Sequence, residues 1–155
     1  MSVFKVLRSD IFMEKFQTIT VCAFIIDEDR LLIAKRAETK KFLPDKYELL
    51  GGHVEFGESL EAALKRELME EVKVSIEVEE PFHAFTYLRD NDTDHCVEID
   101  FFARLKPSGQ EIKLDPTDHS EYRWITEEEV SKYFEKNDDE KVAVEEGFRI
   151  MKMLK

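Results

Sequence analysis

The sequence has few of the residues that mark disulfide-rich, fibrous or membrane-spanning chains. Its 155 residues include only two cysteines, five glycines and four prolines, which excludes a cysteine-dense scaffold and a collagen-like repeat. No apolar run approaches the ~20 residues that a membrane-spanning helix needs, and we expect no signal peptide because the first residues lack an apolar segment. Cys22 and Cys96 lie in apolar, strand-like runs. They are predicted to be reduced core thiols in a cytoplasmic protein, although two cysteines alone leave a disulfide open.

Basic residues are also in short supply. The chain has 23 Lys and Arg against 35 Asp and Glu, a formal net charge of −12. Nucleic acid polymers and anionic membranes repel such a surface, so neither is an expected partner. An anionic small molecule can still bind where a metal ion and local basic residues reverse the field. The length predicts a single domain over residues 1–155.

What is present is a strand-rich pattern with an aromatic core. The hydrophobic fraction is 43% and includes 12 Phe. Strands are predicted on both sides of a central helix, at residues 17–26, 31–36, 47–50, 74–79, 82–89, 96–105, 111–114 and 121–125. A capping box of Thr126 and Glu129 predicts a short helix, and a final helix follows residues 137–139. This order predicts an α+β fold with a mixed β-sheet. Residues 1–16 are expected to add an edge strand or to pack on a partner.

The central stretch, residues 51–74, joins a glycine turn to an acidic amphipathic helix. Ser59 is the predicted N-cap. The core-facing stripe consists of Leu60, Leu64, Leu68 and Val72. Glu67, Glu70 and Glu71 share an arc of roughly 100° beside that stripe. Such carboxylates repel one another, whereas hard cations such as Mg²⁺ take clustered oxygen ligands, so the spacing predicts a metal site at the rim of the core.

The same stretch resembles the Nudix box, a family pattern written G-x5-E-x7-R-E-U-x-E-E-x-G-U, where U is a bulky aliphatic residue. The residues in register are Gly52, Glu58, Arg66, Glu67, Leu68, Glu70, Glu71 and Val74. The second glycine of the pattern is replaced by Lys73. Because glycine there commonly closes the helix in the left-handed conformation, a lysine is expected to cost roughly 1 kcal/mol or to change how the helix ends. Residues 122–125 match the family's common tryptophan strand.

The resemblance implies a Nudix-type α/β/α sandwich that hydrolyses a nucleoside diphosphate linked to another moiety, assisted by Mg²⁺ or Mn²⁺. It assigns the metal to Glu67, Glu70, Glu71 and the carbonyl of Gly52. One of these glutamates, or a later loop carboxylate such as Asp118 or Glu121, would remove a proton from water. Arg66 and Glu58 resemble the family's supporting pair, which orients the glutamate helix through charge-assisted hydrogen bonds. A homodimer is compatible with the resemblance, because dimers are common in the family.

Residues outside the box are candidates for substrate binding. Arg36, His53 and Arg89 could contact phosphate groups, although each is more simply explained as a surface or structural residue. The other histidines lack metal-ligand spacing and are expected to be incidental; they are His83, His95 and His119. Aromatic residues that alternate along residues 82–89 are expected to be core, with stacking on a nucleobase as the alternative.

The stretch GGHVEFGES is similar to MutT-type enzymes, which implies a nucleoside triphosphate pyrophosphohydrolase acting on an NTP or dNTP. A nucleotide-sugar or a dinucleoside polyphosphate is the main alternative substrate, so the expected partner is a small nucleotide or nucleoside diphosphate derivative. A non-catalytic nucleotide-sensing module is disfavoured, because a binder does not need all three glutamates. An isopentenyl-diphosphate-isomerase-like enzyme, which uses a cysteine and a glutamate, is disfavoured by the intact box and by the apolar setting of Cys22 and Cys96.

Overall fold

The computed structural model describes residues 14–155, so most of the segment predicted as an edge strand or partner contact lies outside the described residues. The strands are β1 (Phe16–Asp27), β2 (Arg30–Arg36), β3 (Tyr47–Glu48), β4 (Leu50–His53), β5 (Ile76–Arg89), β6 (Asp94–Leu105) and β7 (His119–Ile125). The helices are α1 (Leu60–Val72), α2 (Val130–Tyr133) and α3 (Asp139–Met153), with a 3₁₀ turn at Glu127–Glu129. No helix in this part of the chain has the length and apolar character to cross a bilayer.

The sheet is mixed, as predicted. Strand β1 pairs in parallel with β6 and antiparallel with β2 and β4. The strand order is β3-β2-β1-β6-β5, with β4 also on β1 and β7 on β2. Residues 21–25 of β1 are buried on both sides, because helices cover both faces of the sheet. The α+β prediction of an α/β/α sandwich is confirmed.

Two apolar cores lie on opposite faces of β1, since successive side chains of a strand alternate. Val21 and its alternate neighbours pack with the apolar stripe of α1. On the other face, the Phe24 ring packs edge-on against Phe148 of α3, with 5.3 Å between ring centroids. Gly147 permits this approach, because a Cβ there would lie 2.5 Å from the Phe24 ring. The sheet is therefore held between α1 and α3.

Some predicted strand boundaries are wrong. The strands predicted at 74–79 and 82–89 are one strand, β5, because register shifts around Pro81 bend it without breaking it. The strand predicted at 111–114 is a loop. Its backbone runs along the end of α1. Lys113 N–H donates to the Val72 carbonyl at 3.0 Å, and Asp115 N–H donates to the Glu71 carbonyl at 2.7 Å. These bonds satisfy helix-terminal carbonyls and leave no strand partner.

Lys73 closes α1 in the left-handed conformation that the family pattern assigns to glycine, with φ 59° and ψ 36°. Its ammonium group donates to the Glu70 carbonyl at 2.6 Å, which satisfies one of the last carbonyls of the helix. The departure from the pattern therefore preserves the helix end. It does so with a side chain that this backbone conformation disfavours.

Replacing Lys73 with Gly should raise the free energy of unfolding by about 1 kcal/mol, because glycine removes the Cβ penalty of the left-handed conformation. Urea denaturation measures the change. Lys65→Gly is the matched control: it lies on the exposed interior of the same helix and should lower stability by about 1 kcal/mol. A Lys73→Gly protein less stable than the parent would contradict the expectation.

Candidate active site

A cavity of about 560 Å³ lies between the glycine turn, the sheet and the start of α3. Its walls come from α1, β4, the loop that follows β2, and strands β1, β5 and β6. It therefore collects residues that are far apart in the sequence. Both basic and acidic side chains line it.

Arg66 connects the turn to the helix. Its Nε and Nη2 donate to the two carboxylate oxygens of Glu58, each at 2.9 Å, and Nη2 also donates to the His53 carbonyl at 2.9 Å. Its Nη1 donates to Glu67 at 2.7 Å and to Glu70 at 3.4 Å. These bonds lower the pKa of Glu58 and raise the pKa of Arg66. The two residues predicted as a supporting pair are in direct contact.

Glu67 and Glu71 face the cavity against the glycine turn. Glu71 is 8% exposed, and its Oε2 accepts a hydrogen bond from Gly51 N–H at 3.1 Å. The Glu67 carboxyl lies so close to Gly52 that a Cβ there would be 2.4 Å from its Cδ. The backbone of the turn and two helix carboxyls thus meet at one place.

Glu70 is placed differently from its two neighbours. Its side chain is 58% exposed and is not among the residues that line the cavity. Within residues 14–155, the three helix glutamates do not bring their ligand atoms within 4.8 Å of one another. The geometry therefore groups Glu67 and Glu71 with Gly52 and leaves Glu70 at the outer edge.

The carboxyls around the turn destabilise one another's charged forms. Burial raises the pKa of Glu71 well above its usual range, and the charges of Glu48, Glu67 and Asp118 raise it further. Burial also raises the pKa of Glu67, although hydrogen bonding from Arg66 opposes that rise. A cation among these oxygens would remove the repulsion, and an all-oxygen donor set is the kind that Mg²⁺ prefers. The residues present fit a divalent metal.

Basic side chains line the same cavity, namely Arg36, Lys40, Lys46 and Arg89. Each predicted phosphate-binding arginine has an acidic partner: Arg36 Nη1 donates to Glu48 at 2.9 Å, and Arg89 pairs with Asp94. Arg89 Nη2 also lies 2.8 Å from His53 Nε2. Burial, followed by the charge of Arg89, lowers the pKa of His53. The neutral imidazole can then accept a hydrogen bond from Arg89.

The two loop candidates separate clearly. Asp118 lines the cavity and pairs with Lys40, and it is close enough to raise the pKa of both Glu67 and Glu71. Glu121 accepts hydrogen bonds from the Tyr47 hydroxyl and from Arg123, and it is absent from the cavity lining. The structure brings Asp118 to the site and leaves Glu121 outside it.

Several cavity residues were missed by sequence reasoning. Cys22 was expected in an apolar setting, but its Sγ, a Glu98 oxygen and an Asp100 oxygen lie within 4.8 Å of one another. Cys22 and Cys96 are both buried and unpaired. A signal was available: Glu98 and Asp100 alternate with apolar residues in a predicted strand, and they fall on the same face of that strand as Cys96. Acidic residues at such positions are rarely incidental.

Two histidines expected to be incidental also have specific contacts. His119 is 2% exposed, and its Nε2 lies 2.8 Å from a Glu48 oxygen, which holds Glu48 beside Arg36. His83 Nδ1 lies 3.4 Å from an Asp100 oxygen without forming a hydrogen bond. Neither histidine lines the cavity, and His119 supports it from behind through Glu48, which does.

The mixed sheet and its helices place in one cleft helix carboxyls that could hold a divalent metal and basic side chains that could contact phosphate groups. A family model described as the NUDIX domain matches residues 16–145. The chain belongs to the Nudix family, and it is a hydrolase of the kind that acts on pyrophosphate bonds.

Individual relatives agree with this assignment. The chain is 32% identical over 115 residues to a "MutT-like protein" of Streptomyces ambofaciens, a match that covers 74% of this chain and 67% of the relative. It is 26% identical over 146 residues to "Nucleoside triphosphatase NudI" of Escherichia coli, covering 89% and 99% of the two chains. The fold is similar to a crystal structure of a MutT protein from Methanosarcina mazei, with a TM-score of 0.75, 24% identity, and coverage of 90% and 97%.

Proposed function

We propose that this enzyme is a nucleoside triphosphate pyrophosphohydrolase that uses Mg²⁺ or Mn²⁺ and releases a nucleoside monophosphate and pyrophosphate. The observation that carries the proposal is the meeting of Glu67 and Glu71 with the glycine turn, at the edge of a cavity lined by Arg36 and Arg89. The similarity to a protein named as a nucleoside triphosphatase supports the substrate class.

The charge of the substrate explains why these groups are needed. The non-bridging oxygens of a polyphosphate are negative and repel an attacking water. A divalent metal, when bound, neutralises that charge and acidifies water. Glu67, Glu71 and the Gly52 carbonyl would hold the metal, and we assign Glu70 as a further ligand from the exposed side of α1. Arg66 keeps Glu67 in place through the bond at 2.7 Å.

The remaining groups handle the phosphates and the proton. Water attacks the α- or β-phosphorus, and the bond from that phosphorus to the oxygen bridging the α- and β-phosphates breaks, which separates the monophosphate from pyrophosphate. The water proton passes to a carboxylate, for which Asp118 is our loop candidate. Arg36 and Arg89 would contact phosphate oxygens. Some of the hydrogen bonds that they now donate to Glu48 and Asp94 would then go to the substrate instead. Supporting roles for Glu58 and His53 follow from their contacts with Arg66 and Arg89.

A nucleotide panel tests the proposal. The protein is incubated with NTPs, dNTPs, nucleotide-sugars and dinucleoside polyphosphates, with Mg²⁺ or Mn²⁺, and products are separated by anion-exchange chromatography. An NTP should give the monophosphate and pyrophosphate. Preferential release of a monophosphate and a sugar phosphate would favour the nucleotide-sugar alternative. Cleavage of no compound, with binding retained, would instead favour the non-catalytic sensing module.

One observation keeps a second candidate in view. Cys22 and Glu98 line the same cavity, and these are the residue types that an isopentenyl-diphosphate-isomerase-like enzyme uses for proton transfer. Burial, and then the charge of Glu98, raises the pKa of the Cys22 thiol. Unchanged diphosphate hydrolysis by Cys22→Ala would remove this candidate, with Cys96→Ala as the buried-cysteine control. The cytoplasmic location and a homodimer remain part of the proposal.

A further inference from the structure

The inner end of the cavity is acidic and incompletely hydrogen-bonded. Glu98 on β6 is 4% exposed, and its Oε1 has no hydrogen-bond partner among residues 14–155. Glu140 at the start of α3 lines the cavity beside it, with one carboxyl oxygen accepting from Leu49 N–H at 2.6 Å. An unpartnered buried acceptor is costly, and it is usually satisfied by a ligand or a proton.

These two acids lie inside the proposed substrate cavity and away from the helix glutamates. Gly51 of β4 pairs with Cys22 of β1, and Thr20 of β1 pairs with Glu98 of β6. Two strand spacings separate β4 from β6, a distance of about 10 Å. The phosphates of a bound nucleotide would therefore lie at one end of the cavity, and a different part of the same molecule would lie at the inner acidic end.

The walls between these two ends are flat and aromatic. Phe85 and Tyr87 of β5 pair with Glu98 and Cys96 of β6 and line the cavity. The ring of Phe42 stacks on Tyr87, with 5.7 Å between centroids and 9° between planes. Flat apolar walls with acceptors at their edge suit a planar ring that carries N–H donors.

Building on the proposed function, we propose that Glu98, with Glu140 beside it, binds the exocyclic amino group of the nucleobase. The enzyme then prefers cytosine, adenine or guanine nucleotides over those of uracil, thymine or hypoxanthine. An amino group donates to the unpaired carboxyl oxygen. The carbonyl that replaces it in uracil sets two acceptors together, and the C–H that replaces the guanine amino group in hypoxanthine leaves the carboxyl oxygen unsatisfied.

Matched substrate pairs test the preference in the unmodified protein. CTP and UTP differ by an amino group against a carbonyl and by the proton that uracil carries on N3, whereas GTP differs from ITP only by its amino group. The best substrate of the panel should carry the amino group. The member of the same pair that lacks this group should have a kcat/KM lower by about 100-fold. Equal kcat/KM values within both pairs would overturn the inference while leaving the hydrolase proposal intact.

Variants identify the residue responsible. In Glu98→Gln the side-chain amide can donate to a carbonyl, so the ratio of kcat/KM for CTP to that for UTP should fall to within a few-fold of one. Glu135→Gln is the control, because Glu135 is an acid that lines the same cavity but pairs with Lys46 and is not part of the cluster around Glu98; its ratio should be unchanged. A substitution that only impairs the enzyme as a whole would lower kcat/KM for both substrates by the same factor and leave their ratio unchanged. A ratio in Glu98→Gln equal to that of the parent contradicts the assignment. If Glu98→Gln does not fold, the same measurement is made on Glu140→Gln.

Failure of the two proposals can be told apart. If the protein cleaves no nucleotide, the hydrolase proposal fails, and base preference is then measured as calorimetric Kd values for CMP, UMP, GMP and IMP. Tighter binding of the amino-bearing member of a pair supports the inference without hydrolysis. Equal Kd values in both pairs overturn it.

Discussion

Replacing Glu71 with Gln should reduce kcat for Mg²⁺-dependent hydrolysis by about 10³-fold while the fold is retained. The amide has the same shape, and its oxygen can still accept the hydrogen bond from Gly51 N–H. What is lost is a negative metal ligand in a buried position. Mg²⁺ should raise the melting temperature of the parent and have a much smaller effect on the variant.

The same substitution should stabilise the metal-free protein at neutral pH. The pKa of Glu71 is raised in the folded state, so the folded protein binds a proton more tightly than the unfolded chain does. Stability from this group is present below its unfolded pKa and falls as pH rises towards the folded pKa. A neutral glutamine avoids that loss. Activity and melting temperature should therefore move in opposite directions at pH 7.

Glu61→Gln is the control for this prediction. Glu61 is an exposed acid on the same helix and pairs only with Lys65 among the described residues. Its replacement should leave kcat unchanged and the melting temperature nearly so. Chromatography of reactions stopped at fixed times gives kcat, and thermal unfolding gives the melting temperature. Both are measured with and without Mg²⁺. Parent-like kcat in Glu71→Gln would show that this carboxylate is not needed for the chemistry.

Gly51→Ala should lower the free energy of unfolding by at least about 3 kcal/mol. A Cβ at Gly51 would lie 1.9 Å from the Val21 carbonyl oxygen and 2.7 Å from the Cys22 Cα. Both are backbone atoms of the central strand, so no side-chain rotation relieves the clash. Strands β1 and β4 must separate, and the turn that carries Gly52 moves with them.

Gly52→Ala is the informative comparison. The three atoms nearest to its Cβ would all belong to the Glu67 carboxyl, the movable end of a side chain. Stability should change by less than about 1 kcal/mol, while displacement of the carboxyl by about 1 Å should reduce kcat about 100-fold. Urea denaturation and initial rates separate the two variants. If both lost the same stability, the distinction between a backbone clash and a site clash would be wrong.

The central helix was predictable from the sequence because its determinants are local. Ser59 caps it by accepting a hydrogen bond from Ala62 N–H. Leu64, Leu68 and Val72 of its apolar stripe are buried and Leu60 is partly buried, as the 3.6-residue period predicts. The capping box of Thr126 and Glu129 is present for the same reason. The Nudix box fixes the family because its residues are spaced along one turn and one helix. The contact between Arg66 and Glu58, eight residues apart, follows from that spacing.

The ends of the strands were harder to predict from the sequence, because the pairing with neighbouring strands defines where a strand ends. The sequence did not show that β5 runs through Pro81, since the bulge depends on the register with β6. It also did not show that residues 111–114 bond to the end of α1, because a short alternating run looks the same in a strand and in a loop with one buried residue.

The sequence by itself determined the family, the sandwich and the glutamate helix, because periodicity and fixed spacing act within a few turns of chain. Only the tertiary structure decided that Asp118 reaches the cavity and Glu121 does not, and that Glu70 faces outwards. It alone placed Glu98 and Glu140 beside each other at the inner end. Those residues come from a strand and a helix that meet across the cavity, and such long-range contacts depend on how the whole sheet is paired.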